Sequence, residues 1–375
     1  MTPVALYIHW PYCARICPYC DFNVTRDRGQ IATQTALFEA ILADLRTQAS
    51  WLGPRELASV FFGGGTPSLM SPEWVAALID EARRLFPPSG PVEITLEANP
   101  TDAEISRYQA FRAAGINRLS IGIQSLDDTA LTFLGRNHSA REALLGLDTA
   151  LSVFERVSLD LIYALPGQTP EDWAAELKRA AALGVEHISP YQLSLEPDTP
   201  FGRAARRGKL SLPAPELGEA FYYTTQSVLN DLGFEAYEVS NHAKGLAARS
   251  AHNVNIWEGV DYIGVGPGAH GRISYDNARH ATVSESDLRT YIVRVGDHGT
   301  GVEHERLSPN ESAEEALMLG LRLIDGVRLE RIESLSLIKR DDLIHDGFLD
   351  IRNDRLRATD KGRVVLDRLL LELLS

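Results

Sequence analysis

The chain is poor in sulfur: 375 residues contain three cysteines, at positions 13, 17 and 20, and three methionines. An odd count confined to one short stretch excludes the disulfide framework of a small secreted fold. Basic residues are also outnumbered, with 37 Lys and Arg against 51 Asp and Glu, a formal charge of −14. That balance excludes broad binding to nucleic-acid phosphates or an anionic membrane, both of which need a basic surface. No apolar run reaches the roughly 18 residues of a membrane-crossing helix. The first residues, MTPVALYIHWPYC, lack a basic segment and a cleavage site, and read as a first buried strand. A cytoplasmic protein is expected.

What is present suits a large core: 44% of residues are hydrophobic and 23% charged. Apolar strands alternate with helix-period segments from the N-terminus to about Leu195. The strands are Ala5–His9, Ala58–Phe62, Val92–Glu97, Arg118–Ile123, Val157–Ile162 and His187–Leu195. The helices include 33–51, 71–86, 102–114, 140–154 and 170–183, with Ser71-Pro72 as a helix-start signal. Six such units predict an α/β fold, a partial (β/α)6 barrel with extra β/α elements. The Pro-, Arg- and Gly-rich stretch 196–215 reads as a connection. A helix at 216–232, a strand at 234–239 and a Gly-rich segment at 259–271 follow. The C-terminal order is helices at 314–323, 329–336 and 341–346, a hairpin at 348–358, and a last helix at 360–374. It predicts a small helical, winged-helix-like domain. The expected division is 1–215, 216–304 and 305–375.

Cys13-Ala-Arg-Ile-Cys17-Pro-Tyr-Cys20 supplies three thiolates from one loop. Three thiolates can hold three irons of a four-iron cubane and leave one iron open. A zinc site with His9 as fourth ligand is the alternative. Gly63-Gly64-Gly65-Thr66-Pro67 ends the second strand, where glycines permit tight turning and close approach of a ligand. Glu97, Gln124 and Asp160 lie at strand ends in this reading, on the rim where β/α barrels keep their chemistry.

The phrases YIHWPYCARICPYCDFN, FFGGGTPSLM, LEANP, RLSIGIQS, LGRNH, DLIYALPGQT and GVGPGAHG resemble the radical S-adenosylmethionine superfamily. Within it they resemble the subfamily of oxygen-independent coproporphyrinogen III oxidases. The resemblance spans roughly residues 7 to 271. It implies a four-iron four-sulfur cluster on Cys13, Cys17 and Cys20, whose open iron chelates the methionine end of S-adenosylmethionine. It places Tyr7 and Tyr19 beside that cofactor and Gly64, Gly65 and Thr66 at its methionine end. Glu97, Gln124, Arg136 and Asp160 are expected at its sugar, its carboxylate or a neighbouring ligand.

Two departures separate this chain from the oxidases. Phe22 stands where they carry a fourth cysteine, and only twelve residues precede Cys13 where they carry a long arm. Both match the HemW branch, which resembles the oxidases but is regarded as a heme chaperone. That branch carries His-Asn-x-x-Tyr-Trp; here the segment is His252-Asn253-Val254-Asn255-Ile256-Trp257, with Ile for Tyr. His252 is the implied heme ligand and Trp257 the implied stacking partner, with His270 a second imidazole. The leading expectation is a chaperone that binds heme and delivers it to an acceptor protein, which the family places at membrane respiratory complexes. The alternative is an enzyme that decarboxylates coproporphyrinogen III to protoporphyrinogen IX. A third reading, a zinc-dependent nucleic-acid reader built on the C-terminal module, conflicts with charge. Residues 305–375 hold 12 Lys and Arg against 15 Asp and Glu, so partner docking suits that module better.

Overall fold

A computed structural model describes residues 1–375, with side chains for all but residues 102, 103 and 215. Six parallel strands carry the architecture: β1 (Thr2–Trp10), β2 (Arg55–Gly64), β3 (Glu93–Ala98), β4 (Arg118–Gln124), β5 (Arg156–Tyr163) and β6 (His187–Gln192). They lie side by side in chain order, each joined to the next through helix. The same sheet also contains β7 (Glu235–Glu238), β8 (Asn241–Ala243), β9 (Asp261–Val265), β10 (His270–Tyr275), β11 (Ala278–Ser284) and β12 (Val302–Arg306). The full sheet has twelve strands in the order β12-β11-β10-β9-β1-β2-β3-β4-β5-β6-β8-β7. Strand β9 pairs parallel to β1, so the first strand is hydrogen-bonded on both sides.

Side chains alternate across a strand, and here the alternation divides apolar from polar. Leu119, Ile121 and Ile123 of β4 and Val157, Leu159 and Leu161 of β5 are buried in the main core. Ser120, Gly122 and Gln124, with Asp160 and Ile162, instead line a cavity at the barrel mouth. The parallel register sets Glu97 beside Ser120, Gly122 beside Asp160, and Asp160 beside Ser189. One face of each strand therefore packs on helices while the other builds a polar interior.

Three of the connecting helices begin where side-chain caps satisfy their free N–H groups, whereas Ile31–Trp51 has no side-chain cap. Ser71 caps Pro72–Leu85, and Ser139–Glu142 and Thr169–Asp172 form reciprocal boxes for Ala140–Val153 and Pro170–Ala181. The segment expected as one helix over 102–114 is two, Asp102–Ile105 and Tyr108–Ala113. The break leaves Arg107 to donate to the carbonyls of Ser68 and Met70 under the glycine loop. The expected connection 196–215 contains a short helix, Pro200–Arg206, capped by Thr199. The Gly-rich segment is the start of an antiparallel meander, β9 to β12.

A second core gathers Leu317, Leu321, Val327, Ile332, Leu356 and Leu369. Its elements are a helix (Pro309–Gly320), a short 3-10 turn (Leu329–Ile332), a helix (Arg340–His345) and a three-stranded sheet. Those three strands are β13 (Val327–Arg328), β14 (Leu349–Arg352) and β15 (Arg355–Ala358). The helix expected at 329–336 is a single 3-10 turn, Leu329–Ile332, whose first N–H bonds the Asp354 carbonyl of the hairpin. The last helix breaks at Val365 into Asp360–Val364 and Leu366–Leu373. Among the described residues no helix is long and apolar enough to cross a membrane.

Candidate functional site: two cavities at the barrel mouth

A cavity of about 310 Å³ opens at the C-terminal ends of the six strands. It is lined by Cys13, Cys17 and Cys20, by Gly64, Gly65 and Thr66, and by Tyr19, Glu97, Gln124, Arg136 and Asp160. Eleven of the twelve residues singled out for a cluster and its cofactor thus share one wall. Tyr7 is the exception.

The glycine loop holds the cysteine loop. Gly65 N–H donates to the Trp10 carbonyl and Thr66 N–H to the Tyr12 carbonyl, each at 2.8 Å. A Cβ on Gly65 would meet the Pro11 carbonyl carbon and oxygen at 2.7 Å, so only glycine lets the two loops touch. Gly64 sits at φ +103°, and a Cβ there would strike the His9 ring.

The thiols have donors aimed at them. Thr66 Oγ1 lies 3.6 Å from Cys13 Sγ, and Arg136 Nη1 lies 3.3 Å from Cys17 Sγ and 3.4 Å from Tyr19 Oη. Arg136 also donates to Asn99 Oδ1 and, at 2.9 Å, to the Gly122 carbonyl, while its Nε is buried without a partner. Burial pushes the Cys13 thiol up to about 11, against the pull of the Thr66 hydrogen bond. A soft cationic centre that takes thiolates would reverse that cost. Three thiols in one cavity beside a fixed guanidinium, with no fourth cysteine in the chain, fit a cluster with one open iron. The zinc alternative loses its fourth ligand, because His9 spends Nδ1 on Tyr7 Oη (3.0 Å) and Nε2 on the Asn23 carbonyl (2.8 Å).

Two carboxyls face the same space. Enclosure by protein, then the charge of Asp160, pushes Glu97 up to about 8. Enclosure raises Asp160 to about 6, against hydrogen bonds from Ser189 and Ser120. Asp160 is not at a strand end as expected; it is the fifth of the eight residues of β5 and reaches the cavity because its side chain faces inward. Arg136 follows a helix and also lies off the strand ends. Gln124 ends β4 with φ +70°, a region costly for a side chain-bearing residue. The following turn is clamped by Glu176, which accepts from Ser125 Oγ and Leu126 N–H at 2.6 Å each. The reading from sequence missed Asn99, Ser120 and Tyr191 on the same wall. Asn99 lay in plain view inside LEANP, two residues after Glu97.

A second cavity, about 350 Å³, adjoins the first and shares Phe22, Gly64 and Glu97 with it. Tyr7, His9, His252, Ile256, Tyr262 and His270 complete its wall. His252 is 6% exposed, stacks on Phe61 at 4.9 Å, and has Nδ1 3.1 Å from Ser59 Oγ. Its Nε2 carries no hydrogen bond among the described residues, and burial lowers its pKa to about 4, so the imidazole is neutral. Ile256, four residues on, shares its helix face and lines the cavity. Trp257 lies outside this wall: its ring is covered by Arg322 at 4.5 Å. The structure thus brings together His252, His270 and Phe22, and not His252 and Trp257.

The model of the Radical SAM superfamily matches residues 7–180, and that of the HemN C-terminal domain matches residues 307–365. The chain is 42% identical to "Radical S-adenosyl methionine domain-containing protein 1, mitochondrial" of Bos taurus, over 99% of this chain and 87% of that one. It is 33% identical to "Heme chaperone HemW" of Escherichia coli (strain K12), over 99% and 98%. It is 35% identical to the protein of the same name from Bacillus subtilis (strain 168), over 96% of each. Among solved structures, coproporphyrinogen III oxidase (HemN) from Escherichia coli superposes with a TM-score of 0.82 at 23% identity, over 100% of this chain and 90% of that one. That last likeness shows a shared fold. With relatives 33 to 42% identical over nearly the whole chain and a cavity that meets the needs of the cofactors, the chain belongs to the radical SAM superfamily, whose cofactors are a four-iron four-sulfur cluster and S-adenosylmethionine.

Proposed function

We propose that this protein is a heme chaperone, which binds heme beside its cofactors and passes it to an acceptor protein. The observation that carries the reading is the second cavity. It sets a neutral, open-sided imidazole, His252, one wall away from the cysteine cavity, and His270 and Phe22 flank it. Neutral imidazole is a common axial ligand of heme iron. Phe22 is 60% exposed and borders both cavities, so it takes the porphyrin-stacking role first expected of Trp257. The full-length relatives named heme chaperone support the same reading.

Within it, Cys13, Cys17 and Cys20 would hold the cluster, and the bound cluster and S-adenosylmethionine would supply one-electron chemistry. Thr66 and Arg136 would steady the thiolates by hydrogen bonds. The N–H groups of Gly65 and Thr66 are spent on the cysteine loop, so carbonyl oxygens are what the glycine loop offers a ligand ammonium. Glu97, Gln124 and Asp160, with Tyr19, would surround the rest of S-adenosylmethionine. Tyr7 would act from behind Glu97, through the second cavity. We read residues 1–215 as the cofactor unit, 216–304 as the extension that brings His252 and His270, and 305–375 as a docking unit for a membrane-associated acceptor. The setting we propose is the cytoplasm.

The test is an anaerobic titration of hemin into cluster-reconstituted protein, wild type beside His252→Ala and His270→Ala. A Soret shift in wild type that weakens in His252→Ala is expected. A free-hemin spectrum throughout refutes the reading. Protoporphyrinogen IX formed from coproporphyrinogen III, with reductant and S-adenosylmethionine, would replace it by the oxidase.

A further inference from the structure

The opposite end of the barrel holds a second concentration of unspent chemistry. Strands β1, β2 and β9 run parallel and begin together, with Thr2 beside Arg55 and Val4 beside Asp261. Their starts form the barrel floor, away from the cysteines at the other end. A cavity of about 520 Å³ lies there, between the floor and the C-terminal module. Arg55 and Arg279 enter it from the barrel, and Arg331 and Ser312 from the module.

The charges in this cavity do not balance. Asp261 is shared by Arg55 (3.6 Å) and Arg279 (3.2 Å), and it also accepts from Ser274 N–H and Oγ at 2.8 Å each. Glu315 is shared by Arg272 and Arg279. Arg331 donates to the Glu258 carbonyl, but the Glu258 carboxylate is held by Arg355 at 3.0 Å. Among the described residues no carboxylate forms an ion pair with Arg331. Three guanidinium groups, of Arg55, Arg279 and Arg331, therefore line the cavity against the one lining carboxylate, Asp261, while the Arg272–Glu315 pair beside it adds no net charge. Two N–H groups, Arg55 Nε and Arg279 Nη2, are buried without partners. Buried donors left unpaired are rare in folded proteins because each costs free energy.

We propose that this floor cavity is an anion site that binds a phosphoryl group, bridging the barrel to the C-terminal module. Two surplus positive charges suit a phosphate dianion, and guanidinium forks arriving from several directions suit its tetrahedral oxygens. The neighbouring cavity, which shares Arg55, Ser274 and Arg279, adds Trp51 and Tyr275, whose rings lie 6.3 Å apart. The phosphoryl group has two candidate sources, free phosphate and a nucleotide whose base would meet those rings. The site is independent of heme binding.

The experiment uses the cluster-reconstituted full chain, desalted into chloride buffer under anaerobic conditions. Inorganic phosphate and AMP are titrated separately by calorimetry, and the thermal midpoint is followed against chloride at matched ionic strength. One site per chain is expected, with a midpoint that rises with phosphate beyond the chloride control. Arg331→Gln should weaken binding at least tenfold and leave the hemin titration unchanged. Ser312→Glu, which places a carboxylate on the rim, should raise the midpoint by itself and abolish the phosphate response. AMP binding like phosphate means that the phosphoryl group alone is read; AMP binding far more tightly means that the aromatic cavity takes the base. Phosphate no better than chloride, with AMP equally inert, overturns the proposal, as does unchanged binding in Arg331→Gln. If Arg331→Gln does not fold, a phosphate response retained in Ser312→Glu overturns it.

Discussion

Glu97 makes stability depend on pH in a way that one isosteric substitution should erase. Its carboxyl accepts the Gly64 N–H and stands near Asp160, and its pKa is pushed from the ordinary 4.5 up to about 8. Between those values the folded chain holds a proton that the unfolded chain has released. Stability therefore is fully present below pH 4.5 and falls as pH rises, by about 1.4 kcal/mol per pH unit, on the order of 5 kcal/mol across the window. Glu97→Gln keeps an oxygen for Gly64 and has nothing to ionise. Asp160 remains in both proteins, but its charge is one cause of the Glu97 shift, so the gap between the two profiles reports the pair. The assay is anaerobic urea unfolding without S-adenosylmethionine, followed by tryptophan fluorescence and circular dichroism, at half-unit steps from pH 5 to 9. The two proteins should have nearly equal midpoints at pH 5. By pH 8.5 the variant's midpoint should lie above wild type by roughly 1 to 2 M, for a slope of about 3 kcal/mol per M. Parallel pH profiles with a constant gap would refute the reasoning.

Gly65→Ala drives a Cβ into the Pro11 backbone at 2.7 Å, and backbone cannot move aside. It should lose most of the iron and sulfide retained after anaerobic reconstitution; full loading contradicts the loop-against-loop account. Arg136→Met strips donors from Cys17, Asn99 and Gly122 and should destabilise the chain by about 2 to 4 kcal/mol, measured by urea unfolding, while shortening the lifetime of the cluster's visible absorbance. Unchanged unfolding and cluster decay would contradict that role. Gln124→Gly removes a side chain held at φ +70° and should leave the fold as stable or about 1 kcal/mol more so, yet weaken S-adenosylmethionine binding in equilibrium dialysis. Equal affinity would mean that the strained residue does not serve the cofactor.

The six-strand frame was legible because its strands are short apolar runs between segments of helical period. The C-terminal meander was less so: β10 and β11 mix histidine, arginine and serine with few apolar residues. Their hairpin signal was nonetheless present as Asp276-Asn277, both at positive φ. The cysteines could be found from sequence because one loop carries all three. Ser120 and Tyr191 could not, since each comes from a different strand and only the register brings them together, whereas Asn99 stood two residues after Glu97 in LEANP and was readable there. Trp257 was misjudged for a reason of periodicity. Five residues after His252 on one helix, it points about 140° away, whereas Ile256 at four residues keeps the same face.

The pairing of β9 with β1 also orders events during synthesis. The cysteine loop emerges early, but its strand waits for residues 261–265 to complete its second side. Asn23, just past Cys20, waits longer still, since its amide donates to the carbonyls of Pro267 and Ser286 at 2.9 Å. At ribosomal speeds of about 5 to 20 residues per second, that delay is on the order of ten to fifty seconds. Throughout it three thiols stand on an unfinished scaffold, exposed to oxidants and stray metals. A cysteine loop with all its supporting contacts in place therefore exists only once residues 261–286 have been made, in the last third of translation or later.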